Sequence, residues 1–192
     1  MTGTYPFARL YPLVFFCGCH LNSKSGLVGG HAMIRGLLKQ LLERHPFDTS
    51  QLHFEINIDK LSSGDLPELC RLFSWLARRV PDTISLFCLI DGVVLYERRE
   101  YSDSSSFVLN HLLEMTRDTS IRSIVKLLFT SPVPTVQLRT HPAFQNGENI
   151  LSMATLTHTR QVASERRFAR ELRVVMSSPP PSPLPSGLAH PF

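Results

Sequence analysis

Ser85-Leu86-Phe87-Cys88-Leu89-Ile90-Asp91-Gly92 is the stretch that decides how this chain folds. The run is too short and too uniformly apolar for a surface helix, and it stops abruptly at Asp-Gly, a pair that makes tight turns. It therefore predicts a buried strand over 85–90 with an acid at its C-terminal tip. Downstream, Ile124 to Phe129 repeats the pattern and ends in Thr130-Ser131-Pro132. Upstream, Leu13-Val14-Phe15-Phe16-Cys17 is a third β-prone run, of the kind found in strands covered on both faces.

Between these runs the apolar pattern becomes helical. Met33, Ile34, Leu37, Leu38, Leu41 and Leu42 share one stripe, which begins near His31 and is stopped by His45-Pro46. Asp65, Pro67 and Glu68 resemble a capping box for a helix over 66–79, where Leu66, Leu69, Phe73 and Leu76 recur and Trp75 falls in the core or at its rim. Ser104 to Ser106 offer N-caps for a helix reaching about Arg117, with His111 on its apolar stripe and expected to be half-buried and hydrogen-bonded. Ile150 to Met153 reads as a short fourth strand and Gln161 to Met176 as a last helix. Buried strands alternating with amphipathic helices predict an α/β fold, a mostly parallel sheet with helices on both faces. Ligands of such sheets sit beyond the C-terminal strand ends, which would place Asp91, Thr130 and Ser131 on one edge.

Composition sets the outer bounds. The chain has 192 residues, 43% of them hydrophobic and 19% charged, enough for one domain with appendages and a real core. A lead over 1–11 precedes the α/β domain expected over 12–158, followed by a basic helix over 159–176. Of the sixteen residues from Ser177 to Phe192, six are Pro and four Ser, so this segment is expected to be a disordered tail. No apolar run approaches the roughly 18 residues that span a bilayer, and the run after Arg9 lacks a cleavage site. Arg160, Arg166, Arg167, Arg170 and Arg173 cluster, with Glu165 and Glu171 among them. Without interleaved aromatics such a face points to solvent or a protein partner rather than to specific nucleic acid. Four dispersed cysteines, Cys17, Cys19, Cys70 and Cys88, read as free thiols of a reducing, cytoplasmic compartment, and Cys17-Gly18-Cys19-His20 has no second cluster to complete a zinc site.

A carboxylate at one strand tip beside a polar residue at the next is the arrangement that holds Mg²⁺ and senses the γ-phosphate in P-loop NTPases. The competing reading of Asp91-Gly92 is a plain turn, in which Asp accepts backbone hydrogen bonds and Gly takes positive φ. A nucleotide site also needs a phosphate cradle, G-x-x-x-x-G-K-[ST]. Gly18-Cys19-His20-Leu21-Asn22-Ser23-Lys24-Ser25 matches its spacing, but Ser23 stands where the second glycine lets the backbone curl around phosphate. Gly18, Lys24 and Ser25 are thus a near miss.

Four blocks taken together resemble fungal NACHT-like proteins of the STAND class of P-loop ATPases, the signal-transduction family that includes nephrocystin-like N-terminal regions. They are Pro12-Leu-Val-Phe-Phe-Cys-Gly, Met33-Ile-Arg-Gly-Leu-Leu-Lys-Gln-Leu-Leu, Leu86-Phe-Cys-Leu-Ile-Asp-Gly-Val and Val125-Lys-Leu-Leu-Phe-Thr-Ser-Pro. The resemblance covers residues 12 to 156 and implies that the first strand here matches the family's second, so that the Walker A strand, loop and helix would lie upstream of Met1. It implies Asp91 as the Walker B aspartate and Mg²⁺ ligand, Gly92 beside it, and Thr130 and Ser131 at the sensor strand end. Two departures stand out. The family's acids after Asp-Gly are here Val94 and Leu95, with Glu97 too far along, and Pro132 replaces the sensor arginine.

The expectation is therefore a truncated NACHT-like domain without ATP hydrolysis, a regulatory fragment with protein partners or self-association. ATP and Mg²⁺ would bind only if the missing segment were supplied. Three other possibilities stay open: a free-standing α/β interaction module, a small nucleotide kinase or GTPase using the Gly18 to Ser25 loop, and an incomplete gene model.

Overall fold

Three parallel strands carry the chain's architecture in a computed structural model that describes residues 9–22 and 27–152. Strand β1 (Arg9–Phe16) is followed by a 3-10 turn (Cys17–His20) and helix α1 (Gly29–Arg44). Two short helices, α2 (Leu52–Glu55) and α3 (Ile58–Ser63), lead to α4 (Leu66–Arg79) and then to β2 (Ile84–Asp91). A second 3-10 turn (Val93–Glu97), helix α5 (Ser102–Met115), β3 (Ile124–Phe129) and the single-turn α6 (Gln137–Thr140) complete the order. The sheet runs β1-β2-β3, with Leu13 opposite Cys88 and Cys88 opposite Leu127. The α/β fold is thus observed, and no helix among the described residues is long and apolar enough to cross a membrane.

Helices on both faces are not observed among the described residues. The long helices α1, α4 and α5 all touch one another, and they cover one face only. Tyr11, Leu13 and Phe15 of β1 and Leu86, Cys88 and Ile90 of β2 point into that layer and are buried, whereas their neighbours Leu10 and Phe16 are exposed. The reason is directional. Each step from β1 to β2 to β3 moves the same way across the sheet, and right-handed crossovers then put every connecting helix on the same side. A contiguous apolar run does not distinguish one covered face from two, which is why Leu13 to Cys17 reads as doubly buried.

Several local expectations match closely and others shift. Asp65 caps α4 by accepting the Glu68 N–H, but Glu68 does not complete the box. Its buried carboxylate instead accepts the Asn57 N–H at 2.6 Å and pairs with Arg71, so it ties α3 to α4. Ser104 to Ser106 are not N-caps, because hydrogen bonds from Tyr101 and Ser102 to the Arg98 carbonyl start the helix earlier. Ser104 accepts the Gly30 N–H at 3.1 Å instead. Ile150, Leu151 and Ser152 carry no strand, and Met153 lies outside the described residues. The last helix expected over 161–176 and the tail over 177–192 lie outside them too, and of the chain's second compact unit, 150–192, only Ile150–Ser152 are described.

Packing in the helical layer is closest where α1 begins. A Cβ on Gly30 would stand 2.0 Å from the Ser104 carbonyl oxygen, so only glycine lets the two helices meet. At the other end of α1, the Gln40 amide clips the outer edge of β1: its Oε1 accepts the Val14 N–H at 2.9 Å and its Nε2 donates to the Val14 carbonyl at 2.8 Å. Two residues earlier on the same edge Pro12 has no N–H to offer. Trp75 is fully buried, with the Arg79 guanidinium 3.5 Å from its ring centre. His111 is half-buried and its Nε2 lies 2.8 Å from the Ser74 hydroxyl, as expected of it. Cys17, Cys70 and Cys88 are buried free thiols, each pushed up to about 12 by burial, while Cys19 is exposed.

Two predictions follow from this packing. Gly30→Ala should destabilise the fold by about 2 kcal/mol in urea unfolding, because α1 must move off α5. The control, Gly18→Ala, meets Leu95 only at an ordinary 3.6 Å and should change stability by less than about 0.5 kcal/mol. Burial holds the His111 imidazole below its ordinary value, so its neutral form is the folded one. Its contribution is present above about pH 6.5 and is lost as pH falls through the lowered value. Stability should therefore decline as pH falls below about 6.5 toward the lowered value. His111→Gln should flatten that decline in unfolding midpoints measured across the range.

Candidate functional site

Parallel register brings the two expected polar groups together. Ile90 faces Phe129 in the last pairing of β2 with β3, so Asp91 and Thr130 leave the sheet side by side at its C-terminal edge. The Thr130 hydroxyl donates to Asp91 Oδ1 at 2.5 Å and accepts the Gly92 N–H at 3.3 Å. Its backbone is held as firmly: the Thr130 N–H donates to the Ile90 carbonyl at 3.0 Å, and the Thr130 carbonyl accepts the Val93 N–H at 3.0 Å. Gly92 has φ 72°, a left-handed conformation that turns the chain away from Asp91 and suits glycine. The plain-turn reading of Asp91-Gly92 thus describes the geometry, with Thr130 as the clasp.

Around this pair the surroundings are polar on one side and apolar on the other. Asp91 is exposed, while the Cys17 thiol beneath is raised first by burial and then by the Asp91 charge. Tyr96 and Tyr101 pin the segment after β1 by donating to the carbonyls of His20 and Leu21, at 3.4 and 2.8 Å. Burial, followed by the neighbouring Cys17 and Tyr101, raises the Tyr96 phenol, so it stays protonated. The His20 ring stacks on Phe15 with centroids 4.7 Å apart, which directs it to the sheet rather than to Asp91.

Ser131 does not join the pair, because its hydroxyl donates to the Val133 carbonyl at 2.5 Å. Gly18 sits in the 3-10 turn without positive φ and with room for a Cβ, so nothing there requires glycine as a phosphate loop would. Lys24 and Ser25 lie outside the described residues. Glu97, too distant in sequence to replace the missing acids, has a structural duty: its two carboxylate oxygens accept the Val136 and Leu138 N–H groups at 2.8 and 3.0 Å. Spacing alone gave no signal for that role, since the partners are backbone amides about forty residues on.

Magnesium prefers six oxygen ligands and is usually held by one or two carboxylates plus phosphates and water. Here one carboxylate and one hydroxyl face each other, and no group of three or more His, Cys, Asp or Glu among the described residues could hold a metal ion. The residues present do not form a Mg²⁺ site by themselves. A shallow apolar groove of about 490 Å³ lies elsewhere, between Arg35, Leu38 and Leu42 of α1, Leu61 of α3 and Leu69 and Leu72 of α4. Comparison with protein families, with curated proteins and with solved structures finds no match for the chain.

The clasp makes a prediction that does not depend on function. Asp91→Ala and Thr130→Val should each cost about 1 kcal/mol, since the pair is charge-assisted but solvent-screened. The double variant should cost clearly less than their sum in a double-mutant cycle of urea unfolding, and strict additivity would remove the coupling.

Proposed function

We propose that this chain is the magnesium-side part of a NACHT-like P-loop NTPase domain, a regulatory fragment that does not hydrolyse ATP and works in the cytoplasm through protein contacts. The observation that carries the proposal is the Asp91–Thr130 clasp at the C-terminal ends of two adjacent parallel strands. Strand order supports it as well: β1, β2 and β3 lie consecutively, and among the described residues nothing pairs with the outer edge of β3, next to Thr130. A phosphate-loop strand would take that place, and its helix, returning right-handed toward β1, would take the uncovered face. Without backbone N–H donors and a lysine beside it, Asp91 repels a triphosphate rather than binding it.

The second reading, a free-standing interaction module, is favoured by the commitment of Thr130 and Glu97 to backbone hydrogen bonds. Nucleotide titration separates the two. The full chain alone should show no ATPase rate above background. Adding a strand–loop–helix polypeptide that carries G-x-x-x-x-G-K-[ST] should produce saturable thermal stabilisation by Mg²⁺-ATP, weakened about tenfold or more by Asp91→Asn. If the supplied segment confers no such stabilisation, the interaction module stands instead. An intrinsic ATPase lost on Asp91→Asn would overturn the inactive assignment, and intrinsic binding lost on Lys24→Ala would give the phosphate duty to the Gly18 to Ser25 loop.

A further inference from the structure

The face of the sheet opposite the helices presents a ladder of side chains set by register. Leu10, Ser85 and Ile124 form one row; Pro12, Phe87 and Lys126 the next; Val14, Leu89 and Leu128 the third; Phe16 and Asp91 the last. Leu10 is 54% exposed, Phe16 51%, Ile124 54% and Leu128 46%, although each belongs to a strand of a parallel sheet. Such sheets are ordinarily buried on both faces, and contiguous exposed apolar surface marks an interaction site. Among the described residues no element lies over it.

Its dimensions select the kind of occupant. Strands about 4.8 Å apart put β1 and β3 about 10 Å from each other, close to the diameter of a single α-helix. Strands of six to eight residues are about 20–26 Å long, the length of an α-helix of roughly 14–17 residues. The resulting area is a few hundred Å², short of the roughly 800 Å² per partner of a stable protein pair, so a second copy laid face to face does not find enough contact here.

Charge narrows it further. Lys126 is exposed and stands between Ile124 and Leu128 along β3 and beside Phe87 in its row, the one cation on a ladder whose other polar members are Ser85 and Asp91. Asp91, at the far end, already accepts the Thr130 hydroxyl. A helix with one acid beside its apolar stripe matches both the apolar rows and Lys126.

We propose that this face docks one amphipathic helix of about four turns from a partner protein, its apolar stripe lying over Val14, Leu89 and Leu128 and a single Glu or Asp meeting Lys126. The proposal rests on the ladder and not on the nucleotide reading, under which a supplied phosphate-loop helix would compete with the partner helix for this face.

The test uses the full chain and a fluorescent, lactam-stapled peptide of about 16 residues with Leu at i, i+3, i+4 and i+7 and one Glu flanking the stripe. Saturable binding is expected, weakened about tenfold by Leu128→Asp and by Lys126→Glu, with both variants keeping the wild-type unfolding midpoint. Replacing the peptide's Glu with Lys should restore binding to Lys126→Glu and weaken it to the native chain. Because Lys126 is a surface position, the charge swap remains readable even if Leu128→Asp fails to fold. Absence of saturable binding, or indifference to the swap, overturns the proposal. A concentration-dependent dimer dissolved by Lys126→Glu would assign the face to a second copy. Failure of a hydrophilic maleimide to label Leu128→Cys in the monomer would assign it to the chain itself.

Discussion

Handedness of the parallel crossover governs this molecule. Both connections advance in the same direction across the sheet, so α1, α4 and α5 share one side and bury Leu13, Phe15, Leu86, Cys88 and Ile90 beneath them. The core is consequently one-sided. Gly30 lets α1 approach α5, Glu68 joins α3 to α4, and Ser74 with His111 links α4 to α5, so the layer is fastened to itself as well as to the strands.

The clasp at the sheet's C-terminal edge shows how one geometry serves two purposes. Thr130 uses its N–H, its carbonyl and its hydroxyl to join β2 to β3. In a complete nucleotide-binding fold the same two strand tips would face phosphate and metal. Here Asp91 is engaged with Thr130 in holding the turn. Ser131 and Glu97, by contrast, are turned to backbone partners, one two residues away and the other about forty.

Much of the fold was legible because its signals are local. Apolar runs mark β1, β2 and β3 to within a few residues, Asp65 marks the start of α4, and Asp91-Gly92 marks the turn. The proximity of Asp91 and Thr130 was legible too, since parallel strands align their C-terminal ends. What could not be read depends on tertiary arrangement. Phe16 and Leu13 are equally apolar, yet one is exposed and the other buried, a difference set by crossover direction. Ser104 looks like a cap and is instead a docking point for Gly30, and Glu97 finds amides far along the chain; neither partner is encoded within a helical turn.

The two margins of the sheet differ in kind. On the β1 side the Gln40 amide occupies both hydrogen-bonding groups of Val14, and Pro12 offers no donor. On the β3 side no described residue does the same. In the language of polymer chemistry such a unit is monofunctional: it has one reactive end and one end-capped terminus. Were strands to add through the open margin, Gln40 and Pro12 would oppose a further addition beside Val14 on the other one.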